Sequence, residues 1–270
     1  KGKKKANTAY CNISDRNVLR FDRDEDIVKH LIAKQNKKGD VNDWIKPYQE
    51  EFMQVKNRRL EPITDLDMIK QIQVDALPLR MILETKRDGR LKARLVAIGF
   101  KEPRHWDITS NSSPVVAINT IRAFLFMAGP TTDVYSSIDI SVAFLQSNPY
   151  DEDAPKRYVV YKPHRYAAPR YYQLKGSIYG QRSASRQWFD TLAGWLEEKG
   201  YKQQEDEPCA FINDKGFKVL TYVDDLICRG SQEETDRFYI LLGKRFDCKD
   251  YTILSPDNKL AFLGFDITCN

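Results

Sequence analysis

The chain has 270 residues, 41% of them hydrophobic, and carries 43 basic against 38 acidic side chains, a net charge of +5. That is apolar material for one large domain or two small ones, with a basic excess too small by itself to assign a nucleic-acid partner. The longest apolar run, 123–129, falls far short of the ~20 residues of a membrane span. No apolar signal segment follows the basic start Lys1–Lys5, and five cysteines without Cys-x-x-Cys spacing argue against a disulfide framework or a zinc site. A reducing, intracellular setting is expected, with catalysis resting on carboxylates. The missing initiator Met reads as a piece of a longer chain.

In chain order, residues 1–40 read as a basic and polar tail or linker, poorly ordered, with a short helix over 27–33. Trp44, Tyr48, Phe52 and Val55 recur at helical spacing. Residues 81–85 and 91–98 predict a hairpin turned at Lys86-Arg87-Asp88-Gly89. A helix over 118–128 ends at Gly129-Pro130, and 135–140 is a buried strand. Residues 183–199 form a helix with Trp188, Leu192, Trp195 and Leu196 on one face. Strands follow at 209–212, 217–223 and 226–228. A Ser231–Glu234 capping box opens a helix to about residue 246, and 260–267 closes as one strand. The order from 135 onward predicts an α+β layer with helices on one face of an antiparallel sheet.

Chemistry concentrates on three carboxylates. Asp224-Asp225 interrupts two β-rich apolar runs, where a structural two-residue turn would favour Asn-Gly or Asp-Gly. The plain alternative is a polar hairpin tip. Asp139 stands inside the apolar strand 135–140, and a lone buried carboxylate is costly unless paired, bonded to local amides or bound to a metal. If these segments are neighbours, the three aspartates repel one another and suit divalent cations with hard oxygen ligands. Two Mg²⁺ ions would then serve in-line phosphoryl transfer.

Charge is also local. Residues 156–186 hold eight bases, Arg165, Arg170, Arg182 and Arg186 among them, with no acid and with six interleaved tyrosines. Residues 86–104 add seven bases against two acids. Bases alternating with stackable aromatics fit a phosphate-tracking groove; a solvated charged face is the alternative.

Together these segments resemble the reverse transcriptase domain of copia-type LTR-retrotransposon polyproteins, from about Trp44 to Asp266. The residues that carry the resemblance are 86–97, Ser113-Pro114-Val115-Val116 with Thr120-Ile121-Arg122, Ile138-Asp139-Ile140 with Ala143-Phe144-Leu145, Ile178-Tyr179-Gly180 with Arg186-Gln187-Trp188, Tyr222-Val223-Asp224-Asp225-Leu226, and Phe262-Leu263-Gly264. The resemblance implies a right-hand polymerase: fingers over 41–132, palm over 133–270 with a fingers insertion near 150–180, and an incomplete thumb. It implies Asp139, Asp224 and Asp225 as metal-binding catalytic residues for two Mg²⁺ ions, with Mn²⁺ able to substitute. Lys92 and Arg94 would meet the triphosphate, with Phe144, Gly180, Gln181 and Tyr222 also around the nucleotide. Phe144 is placed under the incoming sugar; a core role is the alternative. Arg165, Arg170, Arg182 and Arg186 would contact nucleic acid, Phe262-Leu263-Gly264 would form the primer grip, and Lys249 would protonate pyrophosphate. Ile98, Ser147-Asn148 and 181–185 depart from the family pattern.

The implied activity is RNA-directed DNA synthesis from dNTPs on a primed RNA or DNA template, with no membrane partner. Protease, integrase and RNase H segments are expected elsewhere in the parent chain, in a cytoplasmic particle and the nucleus. The rival readings are a catalytically idle nucleic-acid-binding remnant of the same fold and an unrelated two-metal nuclease.

Overall fold

The computed structural model describes residues 23–103, 106, 111–126, 129–165, 167–263 and 265–268. Residues 1–22 of the expected 1–40 tail and the primer-grip Gly264 lie outside them. In chain order the elements are α1 (Asp24–Lys34), α2 (Val41–Arg59), β1 (Leu60–Ile63), α3 (Leu66–Ile72), β2 (Leu77–Thr85), β3 (Leu91–Ala97), α4 (Ile118–Phe126), β4 (Val134–Asp139), β5 (Arg157–Tyr161) and β6 (Arg170–Leu174). There follow α5 (Ala184–Glu198), β7 (Lys202–Gln203), β8 (Ala210–Ile212), β9 (Lys218–Tyr222), β10 (Asp225–Gly230), α6 (Gln232–Gly243), β11 (Thr252–Ile253), β12 (Leu260–Phe262) and β13 (Phe265–Ile267).

Two sheets organise the chain. The first runs β1-β6-β5-β2-β3, antiparallel except where β2 meets β5. Period-two burial along β2 turns Leu77, Leu79, Met81 and Leu83 inward, where Ala93 and Leu95 of β3 and the apolar faces of α1 and α2 meet them. The β2–β3 hairpin forms as predicted. Gly89 closes its tip at φ +82°, and the Asp88 carboxylate accepts bonds from the Arg90 N–H and Nε.

The short helix expected over 27–33 forms as α1, but residues 24–40 are not the poorly ordered tail expected. Ile27, Val28 and Leu31 are fully or almost fully buried, so α1 belongs to the core, and Asp40 caps α2 with Asp43 returning the bond. Asp24, Glu25 and Asp26 lie in the first turn of α1, where they favour its dipole.

The second sheet runs β11-β4-β10-β9-β8-β7. The predicted helices α5 and α6 cover one face through Trp188, Leu192, Trp195, Phe238 and Leu242. The other face is also covered: α4 brings Ile121 and Phe124, and β12 brings Leu260 and Phe262, against Leu220 and Ile227. Buried on both faces, β9 and β10 read as continuous apolar runs. Thus α4, assigned to the fingers from sequence, packs on the palm-like sheet.

Two local expectations change. Ser231 accepts the Glu234 N–H, but the Glu234 carboxylate turns to Lys215 and Asn213, so only half of the capping box forms, and α6 ends at Gly243. Residues 260–267 form a hairpin, β12–β13, turning at Leu263 with φ +54°.

Candidate active site

Register brings the aspartates together. β4 and β10 are antiparallel neighbours with Asp139 directly opposite Asp225, and Asp225 in turn faces Tyr222 of β9. With Ser137 and Tyr135 in phase with Asp139, and Ile227 with Asp225, both carboxylates stand on the face that α4 covers further along. Asp224 occupies the β9–β10 turn. Its carbonyl accepts the Ile140 N–H at 2.8 Å, and the preceding carbonyl, Val223 O, accepts the Trp188 indole N–H at 2.6 Å. Val223 and Val142, one beside each aspartate-bearing segment, have φ of +53° and +47°. These are strained positions for β-branched residues.

A cleft of about 430 Å³ opens between the two sheets. Asp139, Asp224 and Lys249 line its palm side; Lys86, Arg90, Lys92 and Arg94 line the other, with Glu51 and Tyr179 between. Lys92 and Arg94 project from edge strand β3. Arg94 is fixed by Glu84 on β2 at 2.7 Å, a diagonal cross-strand pair, whereas Lys92 has no carboxylate partner among the described residues. Burial, then Arg94 and Lys86, push the Lys92 ammonium pKa down. The Lys249 Nζ lies 2.7 Å from Asp139 Oδ2, and its backbone N–H donates to Asp139 O.

Desolvation raises the Asp224 carboxyl, with the Asp139 charge adding to it; desolvation followed by the Asp224 and Asp139 charges pushes Asp225 up to about 6. Such mutual repulsion is what a cation relieves. Among the described residues no three His, Cys, Asp or Glu side chains converge as a ready-made metal site, and Asp225 is not part of the cleft lining. The donor chemistry still fits a hard divalent cation: carboxylate oxygens without nitrogen or sulfur ligands, one of them already taking a cation in the Lys249 ammonium.

Other sequence candidates are spent elsewhere. Gly180 is required by close approach: at φ +86°, a Cβ there would sit 2.2 Å from Ala97 O. Gln181 turns inward, its Oε1 accepting the Ile178 N–H and the Tyr150 hydroxyl. Arg182 is held by the buried Glu102, and Arg186 by Asp190. Arg165 and Arg170 belong to the β5–β6 hairpin, and at ~4.8 Å per strand, β6 lies some 14 Å from β3. Of the interleaved tyrosines, Tyr161 and Tyr172 are core residues. Phe262 is buried under the palm sheet, and Tyr222 packs partly into the same cluster. Phe144 is half-buried and meets Tyr179 edge-on at 5.2 Å between centroids.

Sequence reasoning missed Glu51 and Trp188. Glu51 Oε1 accepts the Leu95 N–H at 2.8 Å, closing the outer edge of β3. Its signal was visible: position 51 falls on the Trp44–Tyr48–Val55 stripe, where an acid is out of place.

The chain is 28% identical over 261 residues to the Retrovirus-related Pol polyprotein from transposon TNT 1-94 of Nicotiana tabacum, covering 90% of this chain and 18% of that one. It is 26% identical over 258 residues to the Transposon Ty1-LR2 Gag-Pol polyprotein of Saccharomyces cerevisiae, covering 93% and 14%. The chain thus spans less than a fifth of the length of these curated relatives. Among solved structures, apo telomerase from Candida tropicalis superposes with a TM-score of 0.51 at 10% identity, over 84% of this chain and 52% of the telomerase chain, a likeness of fold. Residues 68–270 match the family described as reverse transcriptase (RNA-dependent DNA polymerase), and with well over half of its length inside that match, the chain belongs to this family.

Proposed function

We propose that this domain is an RNA-directed DNA polymerase that transfers dNTPs onto a primer 3′-end along an RNA or DNA template. One observation carries the reading: Asp139 and Asp224 on one sheet face Lys92 and Arg94 on the other across a single cleft. Acids on one wall and bases on the other suit a reaction in which a polyanion must be held while its phosphorus is attacked.

Reverse transcriptases as a family use divalent metal ions, and here Asp139, Asp224 and Asp225 would hold Mg²⁺ or Mn²⁺. When bound, the ions lower the pKa of the primer hydroxyl and neutralise charge on the leaving pyrophosphate. The chain's own groups do the rest. Lys92, in no ion pair among the described residues, takes the triphosphate as a point charge. Arg94 is pre-oriented by Glu84, so it offers a fixed fork to the phosphate oxygens. Lys249, its Nζ 2.7 Å from Asp139 Oδ2, lines the cleft and donates to the leaving group there. Phe144, braced edge-on by Tyr179, gives the sugar an apolar floor. The relatives are polyproteins by name, and the domain is read as acting beside protease, integrase and RNase H segments of such a chain.

Extension of oligo(dT) on poly(rA) with Mg²⁺ tests the reading, with Asp224→Asn as the control. Extension by the parent domain and none by the variant supports it. Binding of the primed template without extension by the parent would assign the idle nucleic-acid-binding remnant instead. Cleavage of the template without extension would assign a nuclease.

A further inference from the structure

Behind the segment that follows Asp139, a second cavity of about 350 Å³ opens where α2, residues 145–149 and residues 245–247 meet. Its walls carry three guanidinium groups, Arg58, Arg59 and Arg245, against one carboxylate, Asp247. Arg58 pairs with Asp247. Arg245 donates to Asn148 Oδ1 at 3.0 Å and lies over the Phe246 ring.

Arg59 is the unusual member. Its residue is only 5% exposed. Nη2 donates to Ser147 O at 2.6 Å and to Ser147 Oγ at 3.2 Å, while Nε has no partner. Among the described residues no carboxylate pairs with it. Burial chiefly, and then Arg58 and Arg245, press its pKa down to about 10. Bonding to Ser147 explains Arg59 as a clamp between α2 and the palm but leaves its charge without a counter-ion. A buried charge with no opposite partner is costly, and a cluster of like charges adds to that cost. An external anion would relieve both, and a planar guanidinium fork matches phosphate oxygens two at a time.

We propose that this cavity is a phosphate-binding site separate from the catalytic cleft, with Arg59 in its floor and Arg58 and Arg245 at its rim. The phosphate is supplied either by a free di- or triphosphate or by a nucleic-acid backbone. The site is wired to the catalytic segment: the Gln146 side-chain amide donates to Ser141 O and Asp247 O and accepts the Asp247 N–H, and the Ser141 N–H donates to Asp247 O. Ser141 itself lines the catalytic cleft.

The test uses the whole chain in EDTA, titrated with inorganic pyrophosphate by calorimetry, in a Lys86→Ala/Arg90→Ala/Lys92→Ala/Arg94→Ala/Lys249→Ala background that silences the catalytic cleft. The expected result is saturable binding in that background, weakened at least tenfold by adding Arg245→Ala or Arg58→Ala, both rim residues whose loss leaves the fold intact by melting temperature. A competing dT12 strand separates the sources: displacement of pyrophosphate assigns a backbone phosphate, and no displacement assigns a free polyphosphate. Absence of both pyrophosphate and dT12 binding in the silenced background overturns the site, as does binding indifferent to the rim arginines. Primer extension plays no part in the readout, so the site and the polymerase reading can fail independently.

Discussion

Trp188→Phe should disable the site while sparing most of the fold. The indole N–H of Trp188 on α5 donates at 2.6 Å to Val223 O, the carbonyl just before Asp224. Val223 is held at φ +53°, a conformation costing an L-residue roughly 1–2 kcal/mol. A buried hydrogen bond contributes about 0.5–1.5 kcal/mol net, so tether and strain are of the same size. Phenylalanine keeps an aromatic ring against Phe246 and loses the donor, at a total cost of about 2–3 kcal/mol including the smaller ring. Released, the turn relaxes and carries the Asp224 carboxylate with it; a displacement near 1 Å can cost about 10²-fold in rate. The assay is single-turnover nucleotide addition beside urea unfolding and primer–template affinity. Trp195→Phe serves as the packing control, since Trp195 lies in the same cluster and meets the same Phe246 edge-on. The expected outcome is comparable destabilisation in both variants, with addition slowed 10- to 100-fold, roughly the penalty of such a displacement, only in Trp188→Phe. Equal loss of activity in the two would refute the tether.

Asp139→Asn and Asp224→Asn should each lower extension by at least about 10²-fold, on the scale of losing one preorganised electrostatic group. Their melting temperatures should stay level or rise, because each removes a charge that repels its neighbours; a variant that extends at parental rate removes that residue from the site. Burial raises the Glu51 carboxyl above its ordinary 4.5, so the stability it contributes is present below that value and lost as pH rises through the higher folded one. Glu51→Gln, which keeps an acceptor for the Leu95 N–H, should therefore match the parent at pH 4 and equal or exceed it at pH 7 in urea titrations; a less stable variant at pH 7 would mean that Lys92 and Arg94 outweigh burial. Gly180→Ala should cost about 2–5 kcal/mol, adding a backbone clash at Ala97 O to the left-handed strain. Gly216→Ala, at φ +81° but with open space around it, should cost only about 1–2 kcal/mol, and similar melting-temperature losses in the two would contradict the close-approach argument. Finally, neutralising Lys86 and Lys92 should flatten the salt dependence of primer–template binding by up to about 0.9 per lost phosphate contact, more than neutralising Arg165 and Arg170; the reverse order would move the nucleic acid onto the β5–β6 hairpin.

The aspartates were legible because their cost was legible. Asp139 within an apolar strand, and Asp224-Asp225 where a glycine-containing turn is favoured, are expensive placements that a purely structural role does not explain. Pairing register, set by alternation and turn positions, then brought Asp139 opposite Asp225. The groups that hold this geometry were less visible because their roles depend on partners far along the chain. Trp188 reads as one more apolar face residue until its indole is seen to reach Val223, 35 positions away. Arg182 reads as a nucleic-acid contact until Glu102, 80 positions earlier, claims it.

The basic runs show the same limit in a form that physics can state. Residues 86–94 lie in and beside one hairpin, so contiguity in sequence becomes contiguity in space, and Lys86, Arg90, Lys92 and Arg94 all reach the cleft. Residues 156–186 cross two strands, their loops and the start of a helix, which scatters their charges in different directions. Arg157 lies over Tyr150 and Trp106, Lys175 pairs with Glu61, Arg182 with Glu102, and Arg186 with Asp190. A run of bases thus predicts a phosphate-facing surface only when one element carries it. When several elements share it, the bases are mostly taken up by local acids and rings. Arg58 and Arg59 make the converse case: a two-residue basic pair, unremarked in the sequence, becomes part of a three-arginine cavity only because Arg245 folds against it from nearly two hundred positions away.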